Sequence, residues 1–340
     1  MRGTATFDML AWVAIGLAAL RLLRTGDGRW WLAIGAVAGV GLADKWLVLM
    51  LLSALGVAVL VTGLRQVFRS AWLPAGVAVA AVLATPVARW QAADDWPLLT
   101  VATGFSEDDG AENRLLFVPL QLVYLSPVLV PVWIAGMVRL WHDPRVRWAR
   151  SLVVAYVVVC AELLVVGGKP YYSIPLLLLL MAAGAEPTLR CLARGRRAAR
   201  RGVAVALAVI GVATSVVVAL PVVPPGGLNA VLVMNKEQGE QVGWEELTAT
   251  VAGVWRQIPG PRQATAVIVT RNYGQAGAIE RHGPELGLPR PYSGHLSYAD
   301  RGPPPDTHTG PVVLVGATSM AGIGGYRVVA EHDNGLDLDN

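Results

Sequence analysis

A few short stretches of this chain bring together side chains that could handle an anion or a proton. Gly167-Gly168-Lys169-Pro170-Tyr171-Tyr172 places a lysine just before a tyrosine pair. Lysine is a compact point charge suited to phosphate, and tyrosine adds a hydroxyl donor on an amphipathic ring. Arg114 precedes Leu115-Leu116-Phe117-Val118-Pro119 and is the only cation after a strongly acidic stretch. It could pair with that stretch or hold an anionic headgroup, and Arg89-Trp90-Gln91 at the other end of the stretch could do either. Asp8 is the second residue of an apolar run. An acid there is favoured by the helix dipole, or it turns a carboxylate into an active-site cavity. Asp44-Lys45 could be a self-paired turn. Glu162 lies inside an apolar run near its end, where an acid marks either a functional site or a wet structural position.

Each of these has an ordinary counterpart. Lysine and tyrosine are common in the belts where helices leave a bilayer. Other signals fail outright. Gly274-Gln275-Ala276-Gly277 lacks the third glycine of a dinucleotide fingerprint. The five histidines, His142, His282, His295, His308 and His332, show no zinc-ligand spacing. There is no Gly-x-Ser-x-Gly and no P-loop. Cys160 and Cys191 cannot make a disulfide framework, and neither a disulfide nor a metal–thiolate site is expected.

The elements that must position these residues are long apolar runs. The chain has 340 residues, 54% of them hydrophobic, and a mean hydropathy of +0.50. Only 15% are charged, against roughly 25% in a soluble domain. A span needs roughly 20 apolar residues, within about 17–25. Runs at 7–23, 30–43, 47–63, 72–88, 115–140, 151–166, 171–185 and 202–223 supply about eight crossings. The net charge of +4 sits in short connections between runs, which makes it a topology signal rather than a nucleic-acid surface.

Those connections alternate. Arg65 and Arg69 follow one run, Arg139, Arg145, Arg147 and Arg150 another, and Arg190, Arg194, Arg196, Arg197, Arg200 and Arg201 a third. The connections between them carry Asp94, Asp95, Glu107, Asp108, Asp109 and Glu112, or only Lys169. Basic loops stay in the cytoplasm. With residues 1–6 outside, every arginine cluster falls inside. The 89–114 loop, the Lys169 turn and everything after Pro224 then fall outside, and Asp44-Lys45 becomes a tight outer turn.

After Pro221-Val222-Val223-Pro224-Pro225-Gly226-Gly227 the composition changes. Residues 1–223 form the multi-span domain and 224–340 a small extracytoplasmic α/β domain. Residues 244–258 place Leu247, Val251, Val254, Trp255 and Ile258 on one helical face. Strands are expected at 264–270, 311–315 and 326–330, with a short helix at 274–282.

Several strings together resemble the polytopic glycosyltransferases of family 39, which include protein O-mannosyltransferases and lipid A aminoarabinose transferases and have the GT-C membrane fold. They are Thr6-Phe7-Asp8-Met9-Leu10, Gly41-Leu42-Ala43-Asp44-Lys45-Trp46, Arg114-Leu115-Leu116-Phe117-Val118-Pro119-Leu120-Gln121 and the Lys169 motif. Asn272-Tyr273-Gly274-Gln275-Ala276-Gly277-Ala278 and Tyr292-Ser293-Gly294-His295-Leu296-Ser297-Tyr298 extend the likeness over nearly the whole chain. The resemblance implies a polyprenyl-phosphate-linked sugar as donor and a protein, lipid or glycan as acceptor, with transfer on the outer face of the plasma membrane. It makes Asp8 the family's second external acid, and Lys169, Tyr171 and Tyr172 the motif near the lipid phosphate, with Arg114 serving the same phosphate. It names no firm cofactor and leaves a divalent metal open. It also implies that the chain begins partway through the family's membrane domain, after the first span and its acidic loop, and stops before the family's usual end. Two other classes stay in view. A transporter calls for charges deep within spans and paired repeats; a non-catalytic membrane component calls only for an external binding domain.

Overall fold

The computed structural model describes residues 5–108, 110–194, 197–232, 235–316 and 327–333. Asp109, Arg196, the first four residues and the chain end at 338–340 lie outside them. The chain divides into two compact units, Met1–Val212 and Ala213–Asn340.

The first unit is helical throughout: α1 (Ala5–Thr25), α2 (Trp30–Asp44), α3 (Val48–Val61), α4 (Trp72–Ala93), α5 (Pro97–Asp108), α6 (Gly110–Val123), α7 (Val130–His142), α8 (Ser151–Val166), α9 (Ile174–Ala193) and the start of α10 (Arg197–Ala219). Among the described residues, four helices are long and apolar enough to cross a membrane: Ala5–Thr25, Trp72–Ala93, Pro170–Ala193 and Ala198–Ala219. Gly110–Val123 with Pro127–His142 passes the same test as a pair bent by 70°. Trp30–Asp44, Val48–Val61 and Ser151–Val166 are shorter apolar helices.

Two expectations change here. The run at 115–140 is not one straight helix. Ser126 takes φ +73°, and Pro127 after it cannot continue the i→i−4 ladder, so the run breaks. The stretch 89–114 is not an open loop: α4 runs on to Ala93, α5 fills most of the remainder, and α6 starts before Arg114.

The helices pack through one apolar core that includes Trp12, Ile15, Leu51, Leu163, Leu176 and Leu180. Close crossings rest on small residues, as expected where lipid removes the hydrophobic drive and leaves van der Waals packing. A Cβ added at Gly136 of α7 would stand 1.9 Å from the Leu180 carbonyl oxygen of α9. One added at Gly184 would meet the Val132 carbonyl oxygen at 1.9 Å. At the arginine-rich end of this pair, Glu186 of α9 bonds both Arg139 and Arg190.

The second unit contains α11 (Asn229–Leu232), α12 (Trp244–Arg256), α13 (Gly260–Gln263), β1 (Val267–Thr270), α14 (Tyr273–His282) and β2 (Val312–Val315). β1 and β2 are parallel, with Val267 opposite Val312. α12 buries Val251, Ala252 and Trp255 against Ile268, Ile279 and Val315, and Leu247 and Ile258 join that core from its edge. Of the strand expected at 326–330, Tyr326 lies outside the described residues and 327–330 form no strand. The other edge of β1 is taken by Tyr292, which bridges to Val269.

Candidate functional site

Five helix ends of the first unit meet at one side of the bundle: the start of α1, the end of α2, the start of α3, the end of α8 and the start of α9. Asp8 sits in the first turn of α1 and is only 5% exposed. Trp12, one turn on, is fully buried. Asp44 ends α2, and Lys45 turns the backbone to an extended conformation as its C-cap, donating its N–H to the Gly41 carbonyl at 2.8 Å. The charges of Lys45 and Asp44 both act on the Asp8 carboxylate.

Lys45 Nζ lies 5.4 Å from the ring centroid of Tyr172, so the Asp44-Lys45 turn reaches the Lys169 motif. Tyr172 packs edge-on against Tyr171 at 4.6 Å, and Tyr171 meets Tyr124 at 6.1 Å. Trp46, beside Lys45, makes an edge contact with Trp96 at 6.0 Å. The Trp12 indole lies within hydrogen-bonding reach of the Asp8 carboxylate, and two further buried polar atoms, Asp44 Oδ2 and Trp46 Nε1, have no hydrogen-bond partner among the described residues. Buried polar atoms are normally paired, so these two set a polar corner in an otherwise apolar bundle.

The Lys169 motif is held from below by Gln121 of α6. Its Nε2 donates to the Pro170 carbonyl at 2.9 Å, and its Oε1 accepts from Ser173 at 2.6 Å and Tyr156 at 3.2 Å. Gln121, Ser173 and Tyr156 are all buried. Lys169 opens a short 3₁₀ turn over Pro170–Ser173 that leads directly into α9. Lys169, Tyr171 and Tyr172 are each half-buried.

Arg114 is placed differently from the other candidates. Its Nε and Nη2 donate to the carbonyls of Leu164 and Val165, both at 3.0 Å, and Asn113 donates to the Gly167 carbonyl at 2.8 Å. These are the carbonyls that the end of α8 leaves without helical partners. Gly167 takes φ +69° to end the helix, and a Cβ there would stand 2.8 Å from the Gly110 Cα. Arg114 thus joins α6 to the turn that presents Lys169.

Glu162 faces α3, where Ser53 donates to its Oε1 at 2.5 Å. In the second unit, the Asn272 side chain accepts from Gln275 N–H at 2.9 Å and caps α14, which gives Gly274-Gln275-Ala276-Gly277 a structural role.

Gln121 and Lys45 were missed or undervalued as site residues. A lone glutamine inside an apolar run is itself a signal, because a polar side chain at membrane depth needs a partner. The contact between Lys45 and Tyr172 leaves no trace in sequence spacing. Among the described residues, no group of three His, Cys, Asp or Glu side chains could hold a metal ion.

Residues 2–90 match the model of the dolichyl-phosphate-mannose-protein mannosyltransferase family. Over those residues the match bears out the resemblance to the family 39 enzymes, taking in the strings at 6–10 and 41–46. It takes in Asp8, Asp44 and Lys45, while Arg114, Lys169, Tyr171 and Tyr172 fall beyond it. No curated protein and no solved structure matches the chain.

Proposed function

We propose, from this family match, that the protein moves a sugar from a polyprenyl-phosphate donor to an acceptor hydroxyl on the outer face of the plasma membrane. Counting the four long apolar helices, the bent pair and the three shorter ones as crossings gives the eight that the charge alternation requires. On that topology the Asp8, Lys45 and Tyr172 cluster faces outward, and residues 224–340 form an extracytoplasmic domain.

The observation that carries this reading is the buried Asp8 carboxylate, held beside the Trp12 indole and in the field of a lysine that reaches the tyrosine motif. In an inverting transfer the acceptor oxygen attacks the anomeric carbon, the bond from that carbon to the phosphate oxygen breaks, and the phosphate leaves with its charge. A carboxylate takes the acceptor proton, and cations with hydroxyl donors stabilise the departing phosphate. Asp8 has the chemistry for the first task. Lys169, Tyr171 and Tyr172 have it for the second, and Lys45 adds a positive charge beside them. Arg114 acts on the same phosphate only with the guanidinium edge its two helix-capping bonds leave over.

The test is transfer from polyprenyl-phosphate mannose by the full chain in proteoliposomes. Asp8→Asn and Lys169→Ala should each lower the rate by about 100-fold or more, the scale of a lost acid–base or charge-stabilising group. Unchanged transfer in both variants would exclude these roles. Absence of transfer by the wild type with any polyprenyl-phosphate sugar would favour a non-catalytic membrane protein.

A further inference from the structure

The second unit contains a polar cavity of about 180 Å³ that the transferase reading does not use. Arg290, Tyr292, Ser293, Tyr298, Arg301 and Pro303 face it. Two segments build it. One runs beside β1: Tyr292 N–H donates to the Ile268 carbonyl at 2.8 Å, and Thr270 N–H donates to the Tyr292 carbonyl at 2.8 Å. This fixes Arg290 and Ser293 on either side of Tyr292. The other is the 3₁₀ turn Leu296–Arg301, which starts at φ +51° on Leu296 and is followed by φ +84° on Gly302. It brings Tyr298 and Arg301 back to the same wall.

Glu280 of α14 organises the cations from behind. Arg301 Nη1 donates to its two oxygens at 3.0 and 2.7 Å, Tyr298 donates at 3.3 Å, and Arg290 Nε stands 3.7 Å away. The Arg301 guanidinium also lies 4.3 Å from the centre of the Tyr298 ring. One carboxylate therefore serves two guanidinium groups. Glu280 is not among the groups facing the cavity, while both arginines are. The wall keeps an excess positive charge, a hydroxyl donor on buried Ser293 and two tyrosine side chains.

We propose that this cavity binds a small oxyanion, the carboxylate of an acidic sugar unit or a phosphate group. Guanidinium groups bind both in forked geometry, and the Ser293 and Tyr292 hydroxyls supply further donors, the Tyr298 proton being spent on Glu280. The volume lies below the roughly 300–1,000 Å³ of pockets for drug-sized ligands, which limits the occupant to about one sugar ring. The proposal stands whether or not the first unit transfers sugar.

The experiment is calorimetric titration of the full-length protein in nanodiscs of zwitterionic lipid, with glucuronate, inorganic phosphate and glucose as separate probes. At least one of the two anions should bind, and glucose should not. Arg290→Ala should weaken anion binding by about tenfold, the worth of one charge-assisted contact. Glu280→Gln should strengthen it severalfold, because it removes the carboxylate that competes for the same guanidinium groups. That gain of binding cannot arise from misfolding. Stronger binding of glucuronate assigns the cavity to an acidic sugar, and stronger binding of phosphate assigns it to a phosphate ester. Failure of both anions to bind, binding insensitive to both substitutions, or glucose binding as well as the anions would overturn the proposal.

Discussion

Lys45 and Tyr172 lie 127 positions apart in the chain, and the lysine Nζ stands 5.4 Å from the tyrosine ring centroid. This contact ties the turn after α2 to the turn before α9. It brings the acid of α1 and the Lys-Pro-Tyr-Tyr motif into one neighbourhood. If that neighbourhood binds a lipid phosphate, Lys45→Met should lower transfer by about tenfold or more while leaving the thermal midpoint little changed, since the side chain is only half-buried. Comparing turnover with melting in detergent checks this, and an unaltered rate would remove Lys45 from the site.

Gln121 should matter for stability and positioning rather than chemistry. Gln121→Leu keeps the bulk but removes the amide that bonds the Pro170 carbonyl and the Ser173 and Tyr156 hydroxyls; since Ser173 still donates to Pro170 at 2.9 Å, a cost of about 1 kcal/mol is expected. A drop in thermal midpoint, with Gln121→Glu nearer to wild type than Gln121→Leu, is the expected pattern.

The α7–α9 crossing has no room for a side chain. Gly184→Val would drive carbon atoms into the Val132 carbonyl oxygen, which a Cβ alone would already meet at 1.9 Å. The helices must separate, at a cost of about 1–3 kcal/mol or more. Loss of folded protein from membranes, measured by size-exclusion profile, is the readout, and Gly104→Val, where an added Cβ meets nothing within 4 Å among the described residues, is the control.

The second unit should weaken in acid. The hydrogen bond from Arg301, aided by its charge, holds the Glu280 carboxyl below the ordinary glutamate range. A carboxylate whose folded pKa is depressed contributes stability that is fully present above its unfolded pKa of about 4.3 and is lost as pH falls through the folded value. Unfolding free energy followed by tryptophan fluorescence should therefore fall below about pH 4.3. Glu280→Gln should flatten that limb. An identical acid limb in the variant would contradict the assignment.

Ser53→Ala should expose the cost of an acid among apolar helices. It removes the partner of Glu162 Oε1, and Oε2 already has none among the described residues. A loss of about 1–2 kcal/mol is expected, rescued by Glu162→Gln in the same background. Chemical denaturation of the two variants decides it.

Much of this protein is determined locally. An apolar run long enough to cross a bilayer satisfies its own backbone as a helix, so the starts of α1, α2, α4 and α8 and the helix α12 were legible from composition and period alone. The strands β1 and β2 were legible as two short β-branched runs with a helix between them, while their parallel pairing came only from the tertiary structure. The bend at Ser126–Pro127 was not drawn from the sequence, although Pro127 pointed to it; a proline can kink a membrane helix or be absorbed by its neighbours, and only packing selects between these. The same holds for the site. Residue type marked Asp8, Lys169, Tyr171 and Tyr172 as capable of the chemistry. Tertiary structure decided that Arg114 caps α8, that Gln121 carries the motif, and that Lys45 reaches Tyr172. Those relationships depend on which helix ends meet, and that is set by close glycine contacts and core shape spread over distant parts of the chain, which no local spacing encodes.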